Sequence, residues 1–165
     1  MHKKCGFTLI ELLTVVLILG ILTSIALPQY RKAIQRAEAA DALINLKTLF
    51  DAGKRYYSYH SSWPTQLKGL DIEFLDASNA GEVGEFQYFF IHTQDSCAGN
   101  GVCYASACRL IDNSTASSYC LTAYYRKNNV RDVYTCKDNS GGKYEALCDS
   151  MCPADYTSGT ECVIE

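Results

Sequence analysis

From Phe7 to Leu27 the chain is almost unbroken apolar sequence, and Glu11 is its one charged residue. The run is about 21 residues long, the length an α-helix needs to cross a ~30 Å hydrocarbon core. A carboxylate at membrane depth costs a few kcal/mol on insertion scales and is retained for function. Past the run the spacing changes. Ala39, Ala42, Leu43, Leu46, Leu49, Phe50, Gly53 and Tyr57 recur at three- and four-residue steps and share one helical face. A second stripe of small apolar residues runs through Ala33, Ala37, Ala40 and Ile44. The first stripe predicts packing on a sheet, and the second predicts close approach by other helices. One helix from Phe7 to about Tyr57 would be on the order of 75 Å long. Pro28 removes a backbone hydrogen bond inside it and favours a kink, and with Gly20 it marks the weak part of the rod.

The helix is predicted to end at Ser61-Ser62-Trp63-Pro64-Thr65, because a residue before proline avoids the α region. From Phe86 onward the pattern becomes short runs rich in Tyr, Phe and Val, separated by Gly, Asn, Asp and Ser clusters. The predicted strands are Phe86–Ile91, Val102–Ile111, Tyr119–Arg126 and Arg131–Cys136, with Lys143–Leu147 as a further candidate. Asn128-Asn129 has the chemistry of a hairpin turn, and Asp138–Gly142 that of a longer one. Leu121, Ala123 and Tyr125 fall on one strand face; Cys120, Thr122 and Tyr124 fall on the other. The expected architecture is α+β: a long N-terminal helix, half transmembrane and half amphipathic, packed on an antiparallel sheet of about four strands.

Charge and cysteine place the two ends of the chain. Lys3 and Lys4 precede the apolar run, but Arg31, Lys32 and Arg36 follow it, so the positive-inside rule does not decide orientation. Of nine cysteines, Cys5 precedes the run. The other eight are Cys97, Cys103, Cys108, Cys120, Cys136, Cys148, Cys152 and Cys162. An even set in one exported segment predicts a disulfide framework in an oxidising compartment. Eight cysteines allow on the order of 100 connectivities; Cys136 is expected to pair with Cys148 across the last turn. Their spacings are not those of zinc knuckles, and no metal site is expected. The formal charge of −3 argues against a nucleic-acid surface as the main role.

Two processing sites compete. Ser24-Ile25-Ala26 would suit signal peptidase and would release a secreted, disulfide-rich binding module. The other site lies before the apolar run. Gly6-Phe7-Thr8-Leu9-Ile10-Glu11-Leu12-Leu13 resembles the type IV prepilin signature: a short basic leader ending in Gly, then Phe, then Glu as the fifth mature residue. The resemblance implies cleavage between Gly6 and Phe7 by a prepilin peptidase, and N-methylation of Phe7. A lone carboxylate among packed apolar helices needs a partner. The new α-amino group of a neighbouring subunit's Phe7 would supply it to Glu11 and fix the axial stagger. Glu11 also lies in the first helical turn, where the helix dipole favours negative charge. The resemblance implies that the Gly20–Pro28 stretch can bend or partly melt in a filament.

Trp63-Pro64 through Leu67, Leu70, Asp71 and Ile72 resembles the connection after the first helix in many pilins and pseudopilins. Asp71, Glu73 and Asp76 there are expected to be loop charges. The pilin fold follows from the resemblance, divided as leader 1–6, transmembrane and assembly helix 7–27, and head domain 28–165. The leading function is a type IV pilin: a structural subunit that waits in the inner membrane with its head in the periplasm. It then polymerises through its N-terminal helix into an extracellular pilus for adhesion, twitching motility or DNA uptake. The near alternative is a pseudopilin of type II secretion or a competence filament.

The implied partners are the prepilin peptidase, further copies of the chain, minor pilins, the inner-membrane assembly platform and, before assembly, membrane lipid. DNA is not expected as the main partner, although Tyr124-Tyr125-Arg126-Lys127…Arg131 mixes aromatics with cations. His60 and His92 sit in no catalytic motif, and no enzyme is expected. No cofactor is expected either. The Asp138–Gly142 turn invites comparison with the calcium site of type II secretion major pseudopilins, but side-chain hydrogen bonding is the simpler account.

Overall fold

The computed structural model describes residues 7–72, 81–91, 102–110, 117–126, 132–152 and 161–164. Helix α1 spans Leu9–His60 and passes through Gly20 and Pro28. Six strands and one further helix follow: β1 (Gly81–Val83), β2 (Phe86–Ile91), β3 (Val102–Leu110), β4 (Ser117–Arg126), β5 (Val133–Asp138), α2 (Glu145–Met151) and β6 (Glu161–Ile164). The chain forms two compact units, one up to Glu38 and one from Ala39 onward.

In the first unit the apolar run is exposed. Every side chain from Phe7 (80% exposed) to Leu27 (54%) is open. Its hydroxyls turn inward instead. Thr14 donates to the Glu11 carbonyl, Thr23 to the carbonyls of Leu19 and Gly20, and Ser24 to that of Ile21, at 2.7–3.1 Å. The surface of this stretch is therefore hydrocarbon with its polar atoms satisfied by its own backbone, the form a lipid-facing helix needs. It is long and apolar enough to cross a membrane.

In the second unit all six strands form one antiparallel sheet, in sequence order from β1 to β6. The register brings Phe86, Tyr88, Ala105, Ala107, Tyr119, Leu121, Ala123, Cys136, Cys162 and Ile164 to one face. These join Ala39, Ala42, Leu46, Leu49 and Phe50 of α1 in one core, with Leu43 and Tyr57 at its margin. The stripe expected to pack on a sheet does so. Small residues on the central strands (Ala105, Ala107, Ala123) leave room for Leu46, Leu49 and Phe50, so that large meets small across the layer. Residues of the other stripe, Ala33, Ala37, Ala40 and Ile44, stay exposed.

Among the described residues the sheet has six strands rather than about four. β1 is three residues of Gly-Glu-Val, and β6 is four residues with only β5 beside it. Strands that short carry no alternation to detect. Lys143–Leu147 is not a strand: Glu145–Met151 is helical, and the Leu147 and Cys148 N–H groups both donate to the Tyr144 carbonyl. Glu, Ala, Leu and Met are good helix formers, and they override the apolar spacing read there as a strand. The proposed turn at Asn128-Asn129 lies outside the described residues, as do Glu73, Asp76 and His92.

The exit from α1 is built by Ser61, which has φ of 54° and donates its N–H to the Tyr57 carbonyl. That left-handed residue swings Trp63 back into the core, where its ring lies 5.7 Å from those of Phe50 and Phe90. Leu67 is buried, Leu70 and Ile72 pack at the edge of the core, and Asp71 pairs with Arg55 at 2.6 and 2.8 Å. The apolar positions of the Trp-Pro-x-x-Leu-x-x-Leu-Asp-Ile connection thus fasten it inward, and its aspartate fastens it to the helix.

Candidate assembly site and head surface

Thr8 stands immediately before the first helical residue. Its hydroxyl accepts from the Glu11 N–H at 3.3 Å, while one Glu11 oxygen accepts from the Thr8 N–H at 2.8 Å and from the Thr8 hydroxyl at 2.6 Å. This is a reciprocal capping box, which satisfies helix-start donors that otherwise have no partner. Glu11 is therefore paired within its own chain, a partner that the expectation of a neighbour's Phe7 did not include. The signal was present as Thr8-Leu9-Ile10-Glu11, the Thr-x-x-Glu spacing of such a box. Phe7 is exposed at the tip; Gly6 lies outside the described residues.

The head is closed by disulfides between neighbouring elements. Cys108 joins Cys120 across β3 and β4, Cys136 of β5 joins Cys148 of α2, and Cys152 joins Cys162 of β6. Cys103 is disulfide-bonded as well, and Cys97 lies outside the described residues. The Cys136–Cys148 bond is the pair expected across the last turn.

That turn is organised by Asp138. One of its oxygens accepts from the Ser140 N–H and hydroxyl at 2.7 and 2.6 Å; the other accepts from the N–H groups of Gly142 and Tyr144 at 2.8 and 3.2 Å. Burial pushes this carboxyl up, but the Ser140 hydroxyl and the three N–H donors outweigh it and hold it below the usual carboxylate range. Gly141 and Gly142, at φ of 79° and 105°, let the chain curl around it. Both carboxylate oxygens thus accept hydrogen bonds from the turn that Asp138 holds. Asp138, Glu145 and Asp149 border a cleft of about 260 Å³ that reaches to Cys148 and Cys162. Among the described residues no group of three or more His, Cys, Asp and Glu is placed to hold a metal.

Elsewhere Lys54 bridges Asp51 and Asp132, each at 2.7 Å. Partial burial lowers the Lys54 pKa, yet the two aspartates together raise it above its ordinary value. His60 stacks on Tyr56 at 4.1 Å at the exposed end of α1. Tyr104 and Tyr124 pair across β3 and β4 at 5.6 Å. The side chains of Tyr125 and Arg126 and the residues at 127–131 fall outside the described set, so the mixed aromatic and cationic patch is represented only by Tyr124.

A family profile described as the prokaryotic N-terminal methylation motif matches residues 1–27. The chain carries a prokaryotic N-terminal methylation motif. Sequence relatives extend the similarity past that motif. A fimbrial protein of Neisseria meningitidis serogroup A is 34% identical over 85 residues, covering 45% of this chain and 50% of the relative. The type IV major pilin protein PilA of Myxococcus xanthus is 49% identical over 56 residues, 34% of this chain and 26% of its own. The type II secretion system core protein G of Vibrio cholerae is 37% identical over 79 residues, 48% of this chain and 54% of its own. The chain spans about half the length or less of these relatives. No solved structure matches. The methylation-motif segment thus coincides with the exposed apolar part of α1 and its capping box.

Proposed function

We propose that this chain is a structural subunit of a type IV pilus. A prepilin peptidase cuts between Gly6 and Phe7, Phe7 is N-methylated, and the helix 7–27 holds the subunit in the inner membrane. The head, 28–165, folds in the periplasm, where its cysteines oxidise. Assembly then moves the apolar helix from lipid into a bundle of like helices, and the exposed filament carries the heads outward. The observation that carries this reading is one helix that is a methylation motif, is wholly uncovered from Phe7 to Leu27, and has a carboxylate held at its start.

In the filament the unbonded Glu11 oxygen would accept from the α-amino group of a neighbour's Phe7, while the other stays on Thr8. Register would then come from that pairing, and cohesion from burying about 20 apolar residues per subunit. Gly20 and Pro28 would set where the helix yields. Minor pilins and the inner-membrane platform are the partners this reading implies. A second reading, a pseudopilin of type II secretion, is supported by the similarity to the Vibrio cholerae protein.

The test is intact-mass and N-terminal peptide analysis of non-reduced protein from sheared surface filaments and from membranes. N-methylated Phe7 in abundant sheared material is the expected result. The same terminus confined to membranes would move the chain to a minor pilin or pseudopilin. A terminus at Leu27 would overturn the reading.

A further inference from the structure

Three cations follow the apolar run at once: Arg31, Lys32 and Arg36, all exposed. No Asp or Glu occurs from Leu12 to Ala37. At 3.6 residues per turn this part of α1 has two sides. Arg31, Lys32, Gln35 and Arg36 share one; Tyr30, Ala33, Ile34 and Ala37 share the other. Axial position matters as much as sign. At 1.5 Å per residue Arg31 and Lys32 stand about 6 and 7.5 Å past Leu27, and Arg36 about 13.5 Å. A headgroup layer is roughly 5–7 Å deep on each side of the hydrocarbon. Arg31 and Lys32 therefore lie at phosphate level, and the long Arg36 side chain can reach back toward it.

We infer that this cationic stripe binds the headgroups of anionic phospholipid in the leaflet where the membrane helix ends, in the subunit that has not yet assembled. The inference rests on the membrane-inserted form proposed above and adds a lipid class and the residues that select it. The stripe is continuous with the lipid-facing helix, and its charge complements a phosphodiester. By the positive-inside rule these cations work against the orientation favoured by Lys3 and Lys4. Headgroup binding gives that opposing charge a use: it fixes how deeply the helix sits and holds the subunit until extraction.

The full chain would be placed in nanodiscs of phosphatidylcholine alone or of phosphatidylcholine with phosphatidylglycerol, and amide exchange followed across residues 28–38. Exchange should slow roughly tenfold or more when phosphatidylglycerol is present. High salt should reverse the slowing, whereas soluble inorganic phosphate at constant ionic strength should not. The R31Q/K32Q/R36Q variant should insert but exchange alike in both discs. Equal exchange of the unaltered chain in the two discs would overturn the lipid site, as would slowing that survives the triple substitution. Protection seen only in filaments would assign the stripe to contacts between subunits and overturn it too. A chain that enters neither disc would remove the membrane-inserted form and the lipid site together, whereas insertion without lipid dependence would remove the lipid site alone.

Discussion

One Glu11 oxygen accepts from both the backbone N–H and the hydroxyl of Thr8, and the Thr8 hydroxyl accepts from the Glu11 N–H in return. The acid at the start of the apolar helix is thus half satisfied within its own chain. Capping and pairing between subunits can be separated, because Gln supports a capping box but carries no charge. Glu11→Gln should insert and keep its helix start, yet give few filaments. Thr8→Ala should keep the charge while weakening the helix start by about 1 kcal/mol. Filament yield scored by electron microscopy and shearing decides between the two roles. Normal yield from Glu11→Gln would mean that the cap, not an ion pair, is what Glu11 supplies.

Gly53 faces a tight aromatic corner. A Cβ added there would lie 2.9 Å from the Phe90 ring and 3.1 Å from the Trp63 ring. Gly53→Ala improves helix propensity by about 1 kcal/mol, but overpacking a core typically costs about 1–3 kcal/mol. The variant should therefore be destabilised by about 1 kcal/mol, measured by urea unfolding. A gain in stability would mean that the two rings shift without loss.

The Cys136–Cys148 bond ties α2 to the strand before it, closing a separation of 12 residues. Loop-closure entropy for a span of that size is worth about 3 kcal/mol. Replacing both cysteines with Ala should lower stability by up to that amount. The loss should concentrate in α2, so amide exchange of Glu145–Met151 should rise more than that of β3 and β4. Uniform acceleration across the sheet would contradict a local role.

Asp138 sets a pH limit for the same region. Its folded pKa lies below the unfolded value, so its stabilisation is fully present above the unfolded pKa, near 4. It is lost as pH falls through the folded pKa. Protease cleavage within the turn at 139–144 should increase on acidification below about pH 4. Asp138→Asn should cleave readily at neutral pH and show a weaker dependence on acid. An unchanged cleavage profile for Asp138→Asn would place the acid sensitivity elsewhere, for example at the exposed Arg55–Asp71 pair.

Long-period signals made α1 legible. The stripe from Ala39 to Tyr57 predicted the buried face because more than five turns repeat one pattern, and β2 was found to its ends. The edge strands escaped detection: Gly81–Val83 and Glu161–Ile164 are specified by neighbours that pair with them rather than by their own alternation. Lys143–Leu147 is ambiguous because it has both apolar residues and helix formers, and the choice is made by the Tyr144 carbonyl and the bond to Cys136. At the candidate assembly site, Phe7 and Glu11 are legible from one motif. The role of Thr8 is carried by the Thr-x-x-Glu spacing, in which the same Glu11 also serves as the cap's acid.

The strict sequence order of the sheet has a kinetic meaning. Each strand pairs with the one made just before it, and the described disulfides close separations of only 10–12 residues. Local pairings of this kind form quickly and carry less closure entropy than long-range ones. A chain delivered across a membrane from its N-terminus can therefore complete and oxidise one hairpin while the next is still arriving. In the exported form proposed above, the distal part of α1 would emerge first and offer the surface on which the hairpins settle in turn, which would make the order of export also an order of folding.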